Sequence, residues 1–180
     1  MASRTRSNPF SRSRGMGDEA HESLLTSLGA QPLALTRILS WTYAREGFCV
    51  GTPTHLNVGD TSGWLHVGWH EIERGDWNAE TQALRWAQYG GRRGTAHHDP
   101  PARMPELLRE RIAASIVLEK FVPVRGDKGV IISARRSLSS PDAQVLWHRS
   151  ISPGLRWDDR GVEELAEATI ADLRSEYEIV

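Results

Sequence analysis

The sequence predicts an α+β fold: an antiparallel β-meander or roll with a short internal helix and a C-terminal helix. Three observations carry that prediction. Residues 64–86 hold four of the seven tryptophans, and there Leu65, Val67 and Trp69 alternate with His66, Gly68 and His70, the period of a half-buried strand. Residues 115–152 are rich in β-branched side chains and are broken by turn formers. Residues 158–178 place Val162, Leu165, Thr169, Leu173 and Tyr177 on one stripe at helical spacing.

Taken in order, residues 1–17 are rich in Ser, Arg and Gly and read as a disordered basic arm, because they bury too little apolar area to offset ordering entropy. Residues 18–180 read as one domain. A helix is expected over 18–28. Asp18, Glu19 and Glu22 suit its positive end, Leu24, Leu25 and Leu28 form its apolar patch, and Gly29 with Pro32 stops it. Strands follow at 36–43, 47–52 and 55–58, with the loop 59–63 leading into the tryptophan-rich stretch. That stretch continues through a strand at 71–77, a turn at 78–81 and a strand at 83–89. The segment 90–101 (GGRRGTAHHDPP) breaks regular structure. Met104, Leu107, Leu108 and Ile112 then predict a helix over 104–114, with Pro105 tolerated in its first turn. The three strands of the second meander are expected at 115–123, 129–136 and 144–152. Asp158 or Asp159 is the expected cap of the last helix.

Several of these segments resemble the bacterial pleckstrin-homology-like (PH-like) domains. The carriers are Ile38-Leu39-Ser40-Trp41, then Phe48-Cys49-Val50-Gly51-Thr52 with Leu56 four residues on, then Val67-Gly68-Trp69-His70-Glu71-Ile72-Glu73. The likeness covers roughly residues 36–90. His55 stands where a basic residue often precedes the Leu, and the chain runs on through three more strands and a second helix. The resemblance implies a small antiparallel barrel or roll closed by a helix, a class that mostly binds proteins or lipids. It carries over no catalytic residue.

Composition narrows the chemistry. Hydrophobic content of 39% and charged content of 25% are ordinary for a globular protein. Cys49, the one cysteine, sits between Phe48 and Val50 and reads as a buried, inert thiol. No run of residues is apolar enough to span a membrane, and no apolar segment follows the basic N-terminus, so the expected location is cytoplasmic. The net charge of −1 hides blocks: residues 85–156 hold thirteen basic against six acidic side chains, whereas residues 157–180 hold two against eight. That asymmetry directs attention to an anionic partner.

The candidate contact residues are therefore arginines. Arg92 and Arg93 lie in a Gly-rich segment, Arg125 lies at a turn, and Arg156 adjoins Trp157, which can serve as an interface anchor or pack at the start of the last helix. Arg135 and Arg136 are adjacent on a strand, so only one can join a given patch. The expected function is a non-enzymatic binding module for a protein or other anionic partner. Nucleic-acid binding is the first rival. An enzyme built on His97-His98-Asp99 is the second, since that loop is the densest ligand or acid–base cluster in the chain. His66 and His70, if both lay on one extended strand, would stand about 13 Å apart, too far for one ion. Neither a metal nor a cofactor is expected, and no nucleophile elbow or phosphate loop is present.

Overall fold

Alternation decides the first sheet. In the computed structural model, which describes residues 15–45, 47–97 and 103–177, four antiparallel strands run in chain order: β1 (Ser40–Ala44), β2 (Gly47–Gly51), β3 (His55–Asp60) and β4 (Gly63–Gly68). Their register puts Cys49, Leu56, Val58, Val67 and Leu65 on one face and Trp41, Val50, Phe48 and Trp64 on the other. The second face is covered by α1 (Asp18–Leu28), which buries Ala20, Leu24 and Leu28 against it. Gly29 ends α1 at φ 73°, a positive φ that a residue without Cβ adopts readily. Residues 1–14, most of the expected arm, lie outside the described residues. Met16, inside the span read as arm, is buried in the same cluster, and the Tyr43 hydroxyl donates to the Gly15 carbonyl at 2.9 Å.

The second sheet is β5 (Ile72–Asn78), β6 (Ala83–Gln88) and β7 (Arg93–His97), also an antiparallel meander. Its inner rows are Gly75–Trp86–Gly94 and Trp77–Leu84–Ala96. Gly94 is required there: a Cβ at that position would overlap the Trp86 indole ring. The absence of one methyl group lets an indole lie flat on a neighbouring strand.

Both inner faces meet α3 (Met104–Ser115), which inserts Met104, Leu107 and Leu108 between them. Trp69 is fully buried in this shared core, and its indole N–H donates to the Thr52 carbonyl at 2.9 Å, so the polar atom is satisfied as well as the ring. The two sheets do not close into a barrel among the described residues. One backbone hydrogen bond, from the Arg45 N–H to the His97 carbonyl at 3.1 Å, joins their far edges.

The third sheet is β8 (Ile116–Arg125), β9 (Lys128–Arg136) and β10 (Val145–Ile151), with β9 in the centre. One face carries Leu118, Val130, Ile132, Trp147 and Ile151 and is covered by α4 (Val162–Tyr177) through Val162, Ala166 and Leu173. The other face carries Arg135, Ser133 and His148 at one end and Phe121 and Ile131 at the other. Phe121 remains 48% exposed.

Three local expectations are corrected. The first strand starts at Ser40 rather than near 36, because residues 33–36 form the short helix α2 (Leu33–Thr36) after Pro32. The strand through Trp69 stops at Gly68, and Trp69–Glu71 form a single 3-10 turn that drops the indole into the core. The last helix begins at Val162. The Asp159 carboxylate accepts from the Arg156 N–H at 3.1 Å and is not the cap of that helix.

Candidate functional site

The register of the second sheet brings three guanidiniums together on its outward face. The rows Arg74–Ala87–Arg93 and Asp76–Arg85–Thr95 both point away from the core, and Arg74, Arg85 and Arg93 are all exposed. None of the three forms an ion pair among the described residues. Two strand spacings separate β5 from β7, so the cluster spans about 10 Å. Arg92, also exposed, enters β7 beside it. Sequence reasoning found Arg92 and Arg93 from their Gly-rich setting. It missed Arg74 and Arg85, which only the cross-strand register places next to them.

The other candidate residues do not join this face. Arg125 is exposed at the tip of the β8–β9 hairpin, where it pairs in register with Lys128. Arg156 donates to Asp158 at 2.7 and 2.8 Å, and that bond holds the exposed Asp158 carboxyl below the usual carboxylate range. Trp157 packs on the α4 cluster, and the Arg149 guanidinium lies over its ring at 4.9 Å. Arg136 donates to the Pro141 carbonyl at 2.9 Å. His97 lies 3.4 Å from the Thr81 carbonyl through Nδ1, and His98 and Asp99 lie outside the described residues.

Arg135 corrects an expectation outright. It is 2% exposed and cannot contact a partner from the surface. Its guanidinium donates to Ser133 Oγ at 2.8 Å, to the Ile112 carbonyl at 3.1 Å, to Ser115 Oγ at 3.2 Å and to the Tyr89 hydroxyl at 3.1 Å. All four acceptors are neutral. A buried charge is costly unless its donors are filled, and here four of its five N–H groups are met by oxygens from β9, α3 and the residue after β6. Arg135 thus ties the third sheet to the rest of the molecule.

Around that tie lies a second group of polar residues: four of the seven histidines with Glu71 and Tyr89. His148 on β10 stacks on Tyr89 with ring centroids 3.8 Å apart and planes 7° apart. His70 folds back over Gly68, where a Cβ would lie 2.6 Å from its ring. The 3-10 turn therefore defeats the 13 Å spacing of an extended strand and moves His70 toward His55 and His66. Those two rings lie 6.3 Å apart. Asn57 donates to the Val50 and His55 carbonyls, so its Oδ1, 2.7 Å from His66 Nδ1, accepts that N–H and leaves Nε2 as the lone-pair nitrogen. His55 Nδ1 lies 2.8 Å from Thr54 Oγ1. Gln88 holds the Glu71 carboxylate at 2.9 Å.

Burial holds all four imidazoles below their ordinary pKa. Arg135 pushes His70 and His148 further down, His66 and His70 push His55 down, and Glu71 opposes the shift at His55 and His70. At neutral pH the four rings are uncharged, and His70 and His148 stand beside a permanent cation. Among the described residues no three His, Cys, Asp or Glu side chains converge to hold a metal ion. Cys49 is fully buried, which pushes its thiol pKa far up and leaves it unreactive. No helix among the described residues is long and apolar enough to cross a membrane. No family model matches the chain, and no curated protein or solved structure matches it either.

Proposed function

We propose that this chain is a non-enzymatic binding module of PH-like type, whose outward face on the second sheet engages an acidic protein surface. The observation that carries the reading is the trio Arg74, Arg85 and Arg93, exposed and without ion-pair partners among the described residues. The element order supports the PH-like assignment: four strands, then three, then a helix packed into the space between the two sheets. Arginine suits the role because its planar fork binds carboxylates through paired hydrogen bonds. Asp76 sits in the same face, opposite Arg85. A uniform polyanion such as a nucleic-acid backbone would meet that carboxylate as repulsion, whereas a protein surface of mixed charge can pair with it. The cytoplasm is the compartment that fits a single unpaired, buried cysteine.

The test compares two probes on the isotopically labelled full chain: an acidic Glu/Asp-rich peptide and a duplex oligonucleotide, at low salt. The peptide should shift the amide and guanidinium signals of β5–β7, and Arg74→Glu with Arg93→Glu should abolish the shifts while circular dichroism stays unchanged. Shifts elsewhere, or none, refute the face. Tighter binding of the oligonucleotide, steeply lost with salt, replaces the protein partner by nucleic acid.

A further inference from the structure

The third sheet reaches the first two across a polar junction, and the chemistry of that junction is asymmetric. On one side stand His70 and Glu71 from the turn after β4, with Gln88 and Tyr89 from the end of β6; on the other stand Arg135 from β9 and His148 from β10. Two ring nitrogens in it, His70 Nδ1 and His148 Nε2, are buried from solvent and have no hydrogen-bond partner among the described residues. A neutral imidazole tolerates one such nitrogen, because it can be the lone-pair atom. An imidazolium cannot: both its nitrogens carry protons, and a buried N–H without an acceptor costs about 1–3 kcal/mol.

We propose that this junction is a proton-released latch: neutral His70 and His148 let the third sheet dock on the Tyr89 and Arg135 contacts, and protonation of the two rings frees it. Arg135 faces both rings and carries no carboxylate partner among the described residues, so each new proton adds like charge beside it. Glu71 is the carboxylate beside His70, and Gln88 already occupies it at 2.9 Å. Glu119 shares the cross-strand row of His148 but stands two strands away beyond Ser133. His55 and His66 add further protonatable rings on the side of the first sheet. Positive charge accumulates in the closed junction, and opening it admits water to the two orphaned nitrogens. The shifts of the four rings below their ordinary values agree with this direction.

The latch makes an acid response that is regional rather than global. Hydrogen exchange of the full chain at about pH 7.5 and about pH 5, each corrected for intrinsic rates, reads it directly. On acidification the amides of β8–β10 and α4 should exchange about tenfold faster, while those of β5 and β6, which carry none of the four histidines, should hold within about twofold. Uniform acceleration over the whole chain, or none anywhere, overturns the proposal. His70→Gln with His148→Phe removes both protons while keeping an aromatic ring on Tyr89, and it should abolish the regional response. A response that persists in that variant refutes the assignment. Should the double variant not fold at pH 7.5, Glu71→Gln decides: loss of the one opposing carboxylate should enlarge the acid response, and an unchanged or smaller response refutes the latch.

Discussion

The first two sheets and the third are both antiparallel meanders with one apolar face, yet they are secured to different depths. The first two share a core with α3 that contains Trp69, Trp86, Leu56, Ile72, Leu84 and Met104, all buried from both sides. The third buries Val130 and Ile132 against Val162, Ala166 and Leu173, and its aromatic residues sit at the rim. There Arg149 covers Trp157 and Arg174 lies 5.6 Å from the centre of the Trp147 ring. Apolar burial supplies roughly 25 cal/mol per Å², so the two regions differ in cohesion as much as in size. The join between them combines the hydrogen bonds of Arg135 with the apolar contact of Leu138 on the shared core. A region with a shallower core and a seam of buried polar groups is the one expected to open first.

The comparison is most directly broken at Trp69. Trp69→Ala removes the largest fully buried side chain and leaves the Thr52 carbonyl without its donor. The expected loss is about 3–5 kcal/mol, a large part of the stability of a domain, and denaturant unfolding should show every region lost together. Ile132→Ala should cost about 2–4 kcal/mol but act mainly on the third sheet. Limited proteolysis should then cut within residues 116–177 while residues 40–97 stay intact. Equal susceptibility of both regions would mean that one cooperative core, not two of unequal depth, holds the chain.

Next in size is Gly94→Ala. The added methyl group collides with the Trp86 ring, whose other side is packed in the core, so the expected cost is about 1–3 kcal/mol. Thermal unfolding followed by tryptophan fluorescence checks it. Stability equal to the parent protein would show that β7 shifts to make room, and that Gly94 is not required beneath the Trp86 ring.

Acid should lower stability before any carboxylate titrates. The folded values of His55, His66, His70 and His148 lie below the unfolded one of about 6.5. Below that pH the unfolded chain binds more protons than the folded one. Their contribution is therefore complete above about pH 6.5 and is lost as pH falls through the folded values. The thermal midpoint should drop between about pH 7 and pH 5 and stay flat from pH 7 to 8. A midpoint that rises on acidification reverses the sign and with it the reading of the histidines as neutral.

Much of the fold was legible because periodicity reports on single elements. The tryptophan stretch announced β4 to β6, Leu107 and Leu108 announced α3, and the β-branched run announced the third sheet. What the sequence did not reveal depends on register or on a turn. The Trp69–Glu71 turn looks like strand from its alternation, and it is what carries His70 back over Gly68. Arg135 reads as an exposed strand arginine until its four acceptors, drawn from residues 20 and more positions away as well as from Ser133, are in place. Arg74 and Arg93 lie nineteen positions apart in the chain, and only the row through Ala87 makes them neighbours. Adjacent residues such as Arg156 and Trp157, which the chain does place together, turned to separate partners.

The smallest expected effect on stability falls on the arginine face itself. Arg74, Arg85 and Arg93 are exposed and unpaired among the described residues, so replacing one with glutamate should change stability by less than about 0.5 kcal/mol. The sign differs by position. Arg85 stands opposite Asp76, so Arg85→Glu sets two like charges across a strand pair and should be mildly destabilising. Arg93 stands opposite Ala87, with Arg74 beyond it in the same row, so Arg93→Glu relieves repulsion and should be neutral or mildly stabilising. Urea midpoints for the two variants at low salt, repeated at about 1 M NaCl where the screening length falls to roughly 3 Å, separate the electrostatic part from any packing loss. A difference between the variants that survives high salt would mean the side chains pack against something, and the face would no longer qualify as a free surface awaiting an acidic partner.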